Sequence, residues 1–140
     1  MSRYLLDTNI VIFLVLAESD SLAAKTNLIL NENGNQLATS SICVMEIIQL
    51  YRIGKIKTKK YKTVNDLCAA IEQDFYIKIL PFAKPQLQVL SKLKVADNHN
   101  DPFDHAIISH AIADKLTLVS SDRKFTDYTK QNLNFVFNKR

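Results

Sequence analysis

The sequence predicts an α/β fold with a central, mainly parallel sheet of five strands, covered by helices on both faces. Three observations predict it. Short apolar runs, several rich in β-branched or aromatic residues, alternate with longer segments of helical period. Strands that alternate with helices are joined by right-handed crossovers, which sets them parallel in one sheet. Glycine occurs only twice and proline three times, with no repeat, low-complexity tract or flexible linker, so regular elements fill most of the chain. With 140 residues, 47% apolar and 23% charged, the chain suits one domain, 1–140, with a single core.

The first strand is Tyr4–Leu6, and "YLLDTN" turns from it into a helix over Ile10–Ala17. Arg3 ahead of that apolar run mimics a signal peptide. The run is too short to span a membrane, and Asp7-Thr8-Asn9 interrupts the approach, so it is expected to be buried structure in a soluble, cytoplasmic protein. Asp20 or Ser21 is placed to cap a helix carrying Leu22, Ala24, Leu28 and Ile29. The second strand is Gln36–Thr39. The stretch "SSICVMEIIQLYRI" follows, with Ile42, Val44, Met45, Ile47, Ile48, Leu50 and Ile53 around Glu46, a helix apolar on most sides and so expected to be largely buried. Val64, Leu67, Cys68, Ile71 and Phe75 form one helical stripe, the third strand is Ile77–Leu80, and Leu87, Leu90 and Leu93 mark another helix. In "NDPFDHAIISHA", Asp101 fits an N-cap, Pro102 the first helical position and Asp104 the third, before Ala106, Ile107, Ile108, Ala111 and Ile112. Thr117–Ser120 and Asn134–Phe137 complete the strands. Cys43 and Cys68 form no metal-type pair and sit in apolar surroundings, as reduced core thiols of an intracellular protein do.

In such sheets chemistry sits outside the carboxyl ends of the strands. Asp7 closes the first strand, Glu46 follows the second, Asp104 opens a helix and Asp122 follows the fourth. Taken singly, Asp7, Asp101 and Asp122 are explained as helix caps. Glu46 is not, because a lone carboxylate among apolar residues costs several kcal/mol unless a cation or donor meets it, by an order-of-magnitude estimate. Converging, the four would repel one another and raise their own pKa values. A hard divalent cation compensates, since Mg²⁺ and Mn²⁺ favour carboxylate oxygen and water, and Mg²⁺ engages phosphate oxygens. That combination points to phosphoester hydrolysis.

"YLLDTNIVI", "SSICVMEI", "YRIGKI", "NDPFDHAIISHA" and "LTLVSSDRKF", in this order over nearly the whole chain, resemble the PIN-domain ribonucleases, and more closely their VapC-type toxins. The resemblance implies a three-layer α/β/α sandwich and a metal-dependent endoribonuclease, the toxin of a toxin–antitoxin pair that inhibits translation. It further implies a homodimer and a cognate antitoxin that blocks the site. Asp7, Glu46 and Asp104 match the family's three core acids, and Asp122 the more variable fourth. Asn9 and Ser40 match small polar positions that arrange the metal-binding groups. Ser120 stands where the family often has threonine, as a supporting donor, and Asp101 is a helix cap that also touches the site. The acids are expected to hold one or two Mg²⁺ or Mn²⁺ ions and to cut RNA by in-line attack of water, leaving a 5′-phosphate and a 3′-hydroxyl.

A net charge of +4 suits a phosphate-bearing partner without demanding one. "RIGKIKTKKYK" places six cations in eleven residues, and Arg52, Lys55, Lys57, Lys59 and Lys60 are candidates to draw in RNA backbone. A solvated loop, or a contact with antitoxin or second subunit, explains the same run. Tyr51 and Tyr61 are better placed to pack than to stack on bases. His99, His105 and His110 do not form a metal set, no Ser/His/Asp triad stands out, and a glycine-rich phosphate loop is excluded by composition. Asn9 stands where a haloacid-dehalogenase-like phosphatase needs a second aspartate, and "IKILPFAK" lacks the acceptor aspartate of a receiver domain. The remaining rival is a catalytically silent module of the same fold that only binds RNA or a partner.

Overall fold

All five predicted strands form: β1 (Arg3–Leu6), β2 (Gln36–Ser40), β3 (Lys78–Leu80), β4 (Thr117–Ser120) and β5 (Asn134–Phe137). The computed structural model describes residues 2–140 (for Ser19 the backbone alone), so Met1 of the predicted domain lies outside the described residues. The helices are α1 (Thr8–Val15), α2 (Ala24–Asn31), α3 (Ser41–Arg52), α4 (Val64–Gln73), α5 (Lys84–Lys92) and α6 (Pro102–Asp114). Two 3₁₀ segments, Ser19–Ser21 and Arg123–Gln131, complete the elements.

The strands pair in the order β3-β2-β1-β4-β5, all parallel. The chain steps outward from β1 to β2 to β3, then crosses back to lay β4 against the other side of β1. The order therefore reverses between β1 and β4, the position at which such sheets place a ligand crevice outside the carboxyl ends of the strands. Strand alternation sorts the core into two layers. Leu6 and Val119 pack with Ile10 and Val11 of α1 and with Leu67 and Ile71 of α4. Leu5 and Leu118 pack on the other face with Ile107, Ile108 and Ala111 of α6 and with Phe125 and Tyr128. Each fully buried aliphatic side chain contributes about 1.5–3 kcal/mol. The three-layer α/β/α arrangement follows.

Four local expectations need correction. First, α2 starts at Ala24, while Asp20 and Ser21 belong to the preceding 3₁₀ turn. The residue before it is anchored by β5's flank: the buried Asn138 amide accepts the Ala23 N–H (2.8 Å) and donates to the Ser21 carbonyl and Ser121 hydroxyl. Second, α3 is only half-buried. Cys43 and Ile47 face inward, but Met45 and Ile53 are 46% and 58% exposed, because α3 turns one stripe to the core and the rest outward. Third, Phe75 lies beyond the end of α4. Fourth, α5 buries Gln86 in place of Leu87, since Gln86 accepts the Ala83 N–H and donates to Asp114. Cys43 and Cys68 are both free, but only Cys43 is fully buried. Among the described residues no helix is long and apolar enough to cross a membrane.

Candidate active site

Asp7 is placed by the chain's change of direction. Its main-chain N–H still pairs with the Val119 carbonyl at the end of β4, while its side chain caps α1 by accepting the Thr8 N–H on Oδ1 (2.7 Å). The Ser120 hydroxyl, on β4, donates to Oδ2 at 2.6 Å. The carboxyl group is thus held across the β1–β4 crevice. Burial pushes its pKa up to about 7, against the pull of the Ser120 and Thr8 donors and with the charges of Asp104 and Glu46 adding to the rise.

Glu46 lies one turn into α3, half-buried, and accepts the Thr8 hydroxyl on Oε1 (2.8 Å). Thr8 therefore serves two acids at once, its N–H holding Asp7 and its hydroxyl holding Glu46. Burial raises the Glu46 pKa, opposed by Thr8 and reinforced by Asp101 and Asp104. Asp104 stands at the third position of α6, as predicted, with Asp101 the N-cap accepting the Phe103 N–H and Pro102 in the first turn. The Asp104 pKa is also raised by burial; a hydrogen bond from His99 opposes this, and Asp101 and Asp122 add to the rise. Asp122 caps the 3₁₀ segment through the Lys124 N–H, and its own N–H reaches the Ser120 hydroxyl (3.0 Å).

The predicted acids thus lie in one another's fields: Asp7 feels Glu46 and Asp104, Glu46 feels Asp101 and Asp104, and Asp104 feels Asp122. Among the described residues no three His, Cys, Asp or Glu side chains close around one point tightly enough to coordinate an ion. The donor chemistry nevertheless fits a hard divalent cation. Every candidate ligand is a carboxylate, each with lone pairs beyond the hydrogen bonds it accepts, and raised pKa values are what such a cation relieves.

The supporting residues divide. Ser120 holds Asp7 as expected. Asn9 is exposed in the first turn of α1. Ser40 is fully buried and turns elsewhere: its hydroxyl caps α3 through the Ile42 N–H and lies 2.8 Å from His110 Nδ1. His110 Nε2 lies 3.1 Å from Asp114, which also accepts from Gln86. A Ser-His-Asp series does therefore exist, which the sequence does not suggest, but its serine has no access to solvent and it serves as an internal brace. Asp114 accepts, so the imidazole proton sits on Nε2 and the Ser40 hydroxyl donates to Nδ1. Burial lowers the His110 pKa, against the pull of Asp114.

Arg52, Lys55, Lys57, Lys59, Lys60 and Lys62 are all exposed at the end of α3 and in the loop to α4. Gly54 turns that loop out of the helix with φ +79°, a region that favours glycine. Ile56 and Tyr61 anchor it, and the Tyr51 hydroxyl donates to the Tyr61 carbonyl, so both tyrosines pack. A cleft of about 560 Å³ opens elsewhere, beside Arg3, Gln36, Lys78 and Leu116 at the amino ends of the strands. It holds none of the candidate acids, which lie toward the opposite end of the sheet.

The solved structures that the chain resembles have the same fold. VapBC2 from Rickettsia felis, bound to a promoter DNA fragment, is 24% identical with a TM-score of 0.66, covering 98% of this chain and 99% of that one. DNA-bound VapBC from Salmonella typhimurium is 20% identical with a TM-score of 0.62, covering 98% of each. VapBC-5 from Mycobacterium tuberculosis, a member of the VapBC family of toxin–antitoxin systems, is 15% identical with a TM-score of 0.61, covering 98% and 99%. No curated protein matches the sequence. Residues 4–131 match the PIN domain family, a span that runs from β1 through Asp7, Glu46, Asp104 and Asp122 to the end of the second 3₁₀ segment, and the chain belongs to that family.

Proposed function

We propose that this PIN domain is a Mg²⁺- or Mn²⁺-dependent endoribonuclease and the toxin of a cytoplasmic toxin–antitoxin pair, acting as a homodimer until an antitoxin covers its site. The observation that carries the nuclease assignment is the Asp7 carboxyl group, buried across the β1–β4 crevice with Glu46 and Asp104 in its field. A fold does not retain an uncompensated buried acid cluster for stability. The toxin role is supported by the likeness to VapBC complexes along nearly the whole chain. Met45 on α3 and Ile53 at its C-cap give exposed apolar surface for a second subunit.

Asp7, Glu46, Asp104 and Asp122 are the residues that would hold one or two cations. Bound there, the metal supplies Lewis-acid charge to the phosphate and an activated water. The chain's own part is orientation. Ser120 and Thr8 fix both oxygens of Asp7, Thr8 fixes Glu46, and the Asp122 N–H bond to Ser120 ties the fourth acid to the first. In the reaction, water oxygen bonds to phosphorus, the bond to the 3′ oxygen breaks, and the products are a 5′-phosphate and a 3′-hydroxyl. The cationic loop draws the RNA backbone toward the site.

Purified protein is expected to cut a cellular RNA pool with Mg²⁺ or Mn²⁺ and not with EDTA, and Asp104→Asn to abolish the cuts. Metal-independent cleavage, or an equally active variant, would refute the assignment. Replacing Lys55, Lys57, Lys59 and Lys60 by alanine is expected to leave the fold intact and weaken RNA binding. The slope of log affinity against log salt should flatten by about 0.7 for each phosphate that the loop no longer neutralises. An unchanged slope in a filter-binding titration would return the loop to simple solvation.

A further inference from the structure

His99 has no part in the metal set, yet it is 2% exposed, packs on Phe125 and Tyr128 of the core, and has every polar group engaged. Its Nε2 lies 3.0 Å from Asp104 Oδ2 and its Nδ1 lies 2.7 Å from the Tyr128 hydroxyl. The tautomer follows from the partners. An ionised Asp104 only accepts, so Nε2 carries the proton; Nδ1 then accepts the Tyr128 O–H, whose oxygen takes the Ala96 N–H at 3.0 Å. The main chain of His99 is pinned as well, with its carbonyl 2.7 Å from His105 Nε2 and its N–H on the Ala96 carbonyl. The ring is boxed edge-on by His105 and Tyr128, at centroid distances of 4.9 and 5.4 Å. A side chain so completely determined has one orientation to offer Asp104.

Tyr128 lies in the 3₁₀ segment that Asp122 caps. The series Tyr128–His99–Asp104 therefore ties the segment after β4 to the first turn of α6, and so joins the supports of two acids on different elements.

We propose that His99 is the positioning residue for Asp104: its ring, held in one orientation by Tyr128, engages one carboxylate oxygen and leaves the other for the cation and substrate. This rests on the nuclease reading of the same acids. Outer partners that orient a metal-binding carboxylate change metal affinity or activity by about 10–100-fold when removed. A phenylalanine in place of His99 keeps the ring and removes the donor. A glutamine restores a donor near the Nε2 position and an acceptor for Tyr128.

The test measures Mn²⁺ affinity by calorimetry and RNA cleavage at saturating Mn²⁺ for the parent protein, His99→Phe, His99→Gln and Tyr128→Phe, with circular dichroism confirming each fold. His99→Phe is expected to lose about 10–100-fold in both. His99→Gln should recover most of the loss, and Tyr128→Phe should fall between. Nitrogen NMR of the metal-free parent is expected to find the His99 proton on Nε2. A folded His99→Phe that binds and cleaves like the parent overturns the proposal alone, as does a glutamine variant no better than phenylalanine, or a proton found on Nδ1. If His99→Phe does not fold, the glutamine and Tyr128→Phe variants decide by the same criteria. A parent protein that neither binds Mn²⁺ nor cleaves RNA overturns the nuclease reading, and this role for His99 with it.

Discussion

Asp7→Asn is expected to abolish cleavage and at the same time yield a protein more stable than the parent above pH 7. The pKa of Asp7 rises from 3.8 to about 7 on folding, first through burial. The native state therefore keeps a proton that the unfolded chain has already released. The stability this group contributes is complete below pH 3.8 and is lost as pH rises to about 7, beyond which the curve is flat. At 1.4 kcal/mol per pH unit the loss is on the order of 4 kcal/mol. Glu46 and Asp104, also raised, act in the same direction. Asparagine cannot ionise and escapes the Asp7 share. The urea midpoint should fall from pH 5 to pH 8 for the parent and much less for the variant. Mg²⁺ at pH 8 should restore stability to the parent alone, since only the native parent binds it well. Parallel pH curves for the two proteins would show that Asp7 is not held as described.

The second large effect concerns the internal brace. His110→Ala should lower stability by about 3 kcal/mol, from the cavity left beside Phe82 and from the lost imidazole bonds to Ser40 and Asp114. For a chain of this size that lowers the melting temperature by about 10 °C. The pH signature is opposite to that of Asp7. Burial depresses the His110 pKa below 6.5, so its contribution is complete above pH 6.5 and is lost as pH falls through the depressed value. The alanine variant should lack this acid-side decline. A variant as stable as the parent in differential scanning calorimetry would mean that Ser40 and Asp114 find other partners.

What the sequence makes legible is local. The strands are visible because each is a short apolar run bounded by turn chemistry. Asp101, Pro102 and Asp104 are placed to the residue, because capping is decided within one helical turn. Asp7, Glu46 and Asp122 stand out because each follows a strand end, and Asp104 because it opens a helix. What escapes is pairing at long range. Thr8 meets Glu46 across 38 residues, and Ser40 meets His110 across 70, with no local pattern to mark either. Asn138 anchors Ala23, the residue before α2 and 115 positions upstream, so the sequence credits a residue on α2's own side instead. The burial of α3 is overstated because apolar residues on several faces look alike in sequence, whether the core or open surface receives them. His99 is no metal ligand by its spacing, and its role toward Asp104 depends on the Tyr128 hydroxyl, which helical spacing does not reveal.

The bond between Ser120 and Asp7 joins residues 113 positions apart. β1 leaves the ribosome well before its β4 neighbour, with β2, β3 and all six α-helices made between them. During synthesis Asp7 therefore waits, without its oxygen partner and without the wall of its crevice, until most of the chain has emerged. Long-range parallel pairing of this kind is slow to form. Until β4 docks, the Ser120 donor and that wall are absent, so Asp7 is fixed in place only after the 113 positions that separate it from Ser120 have been made.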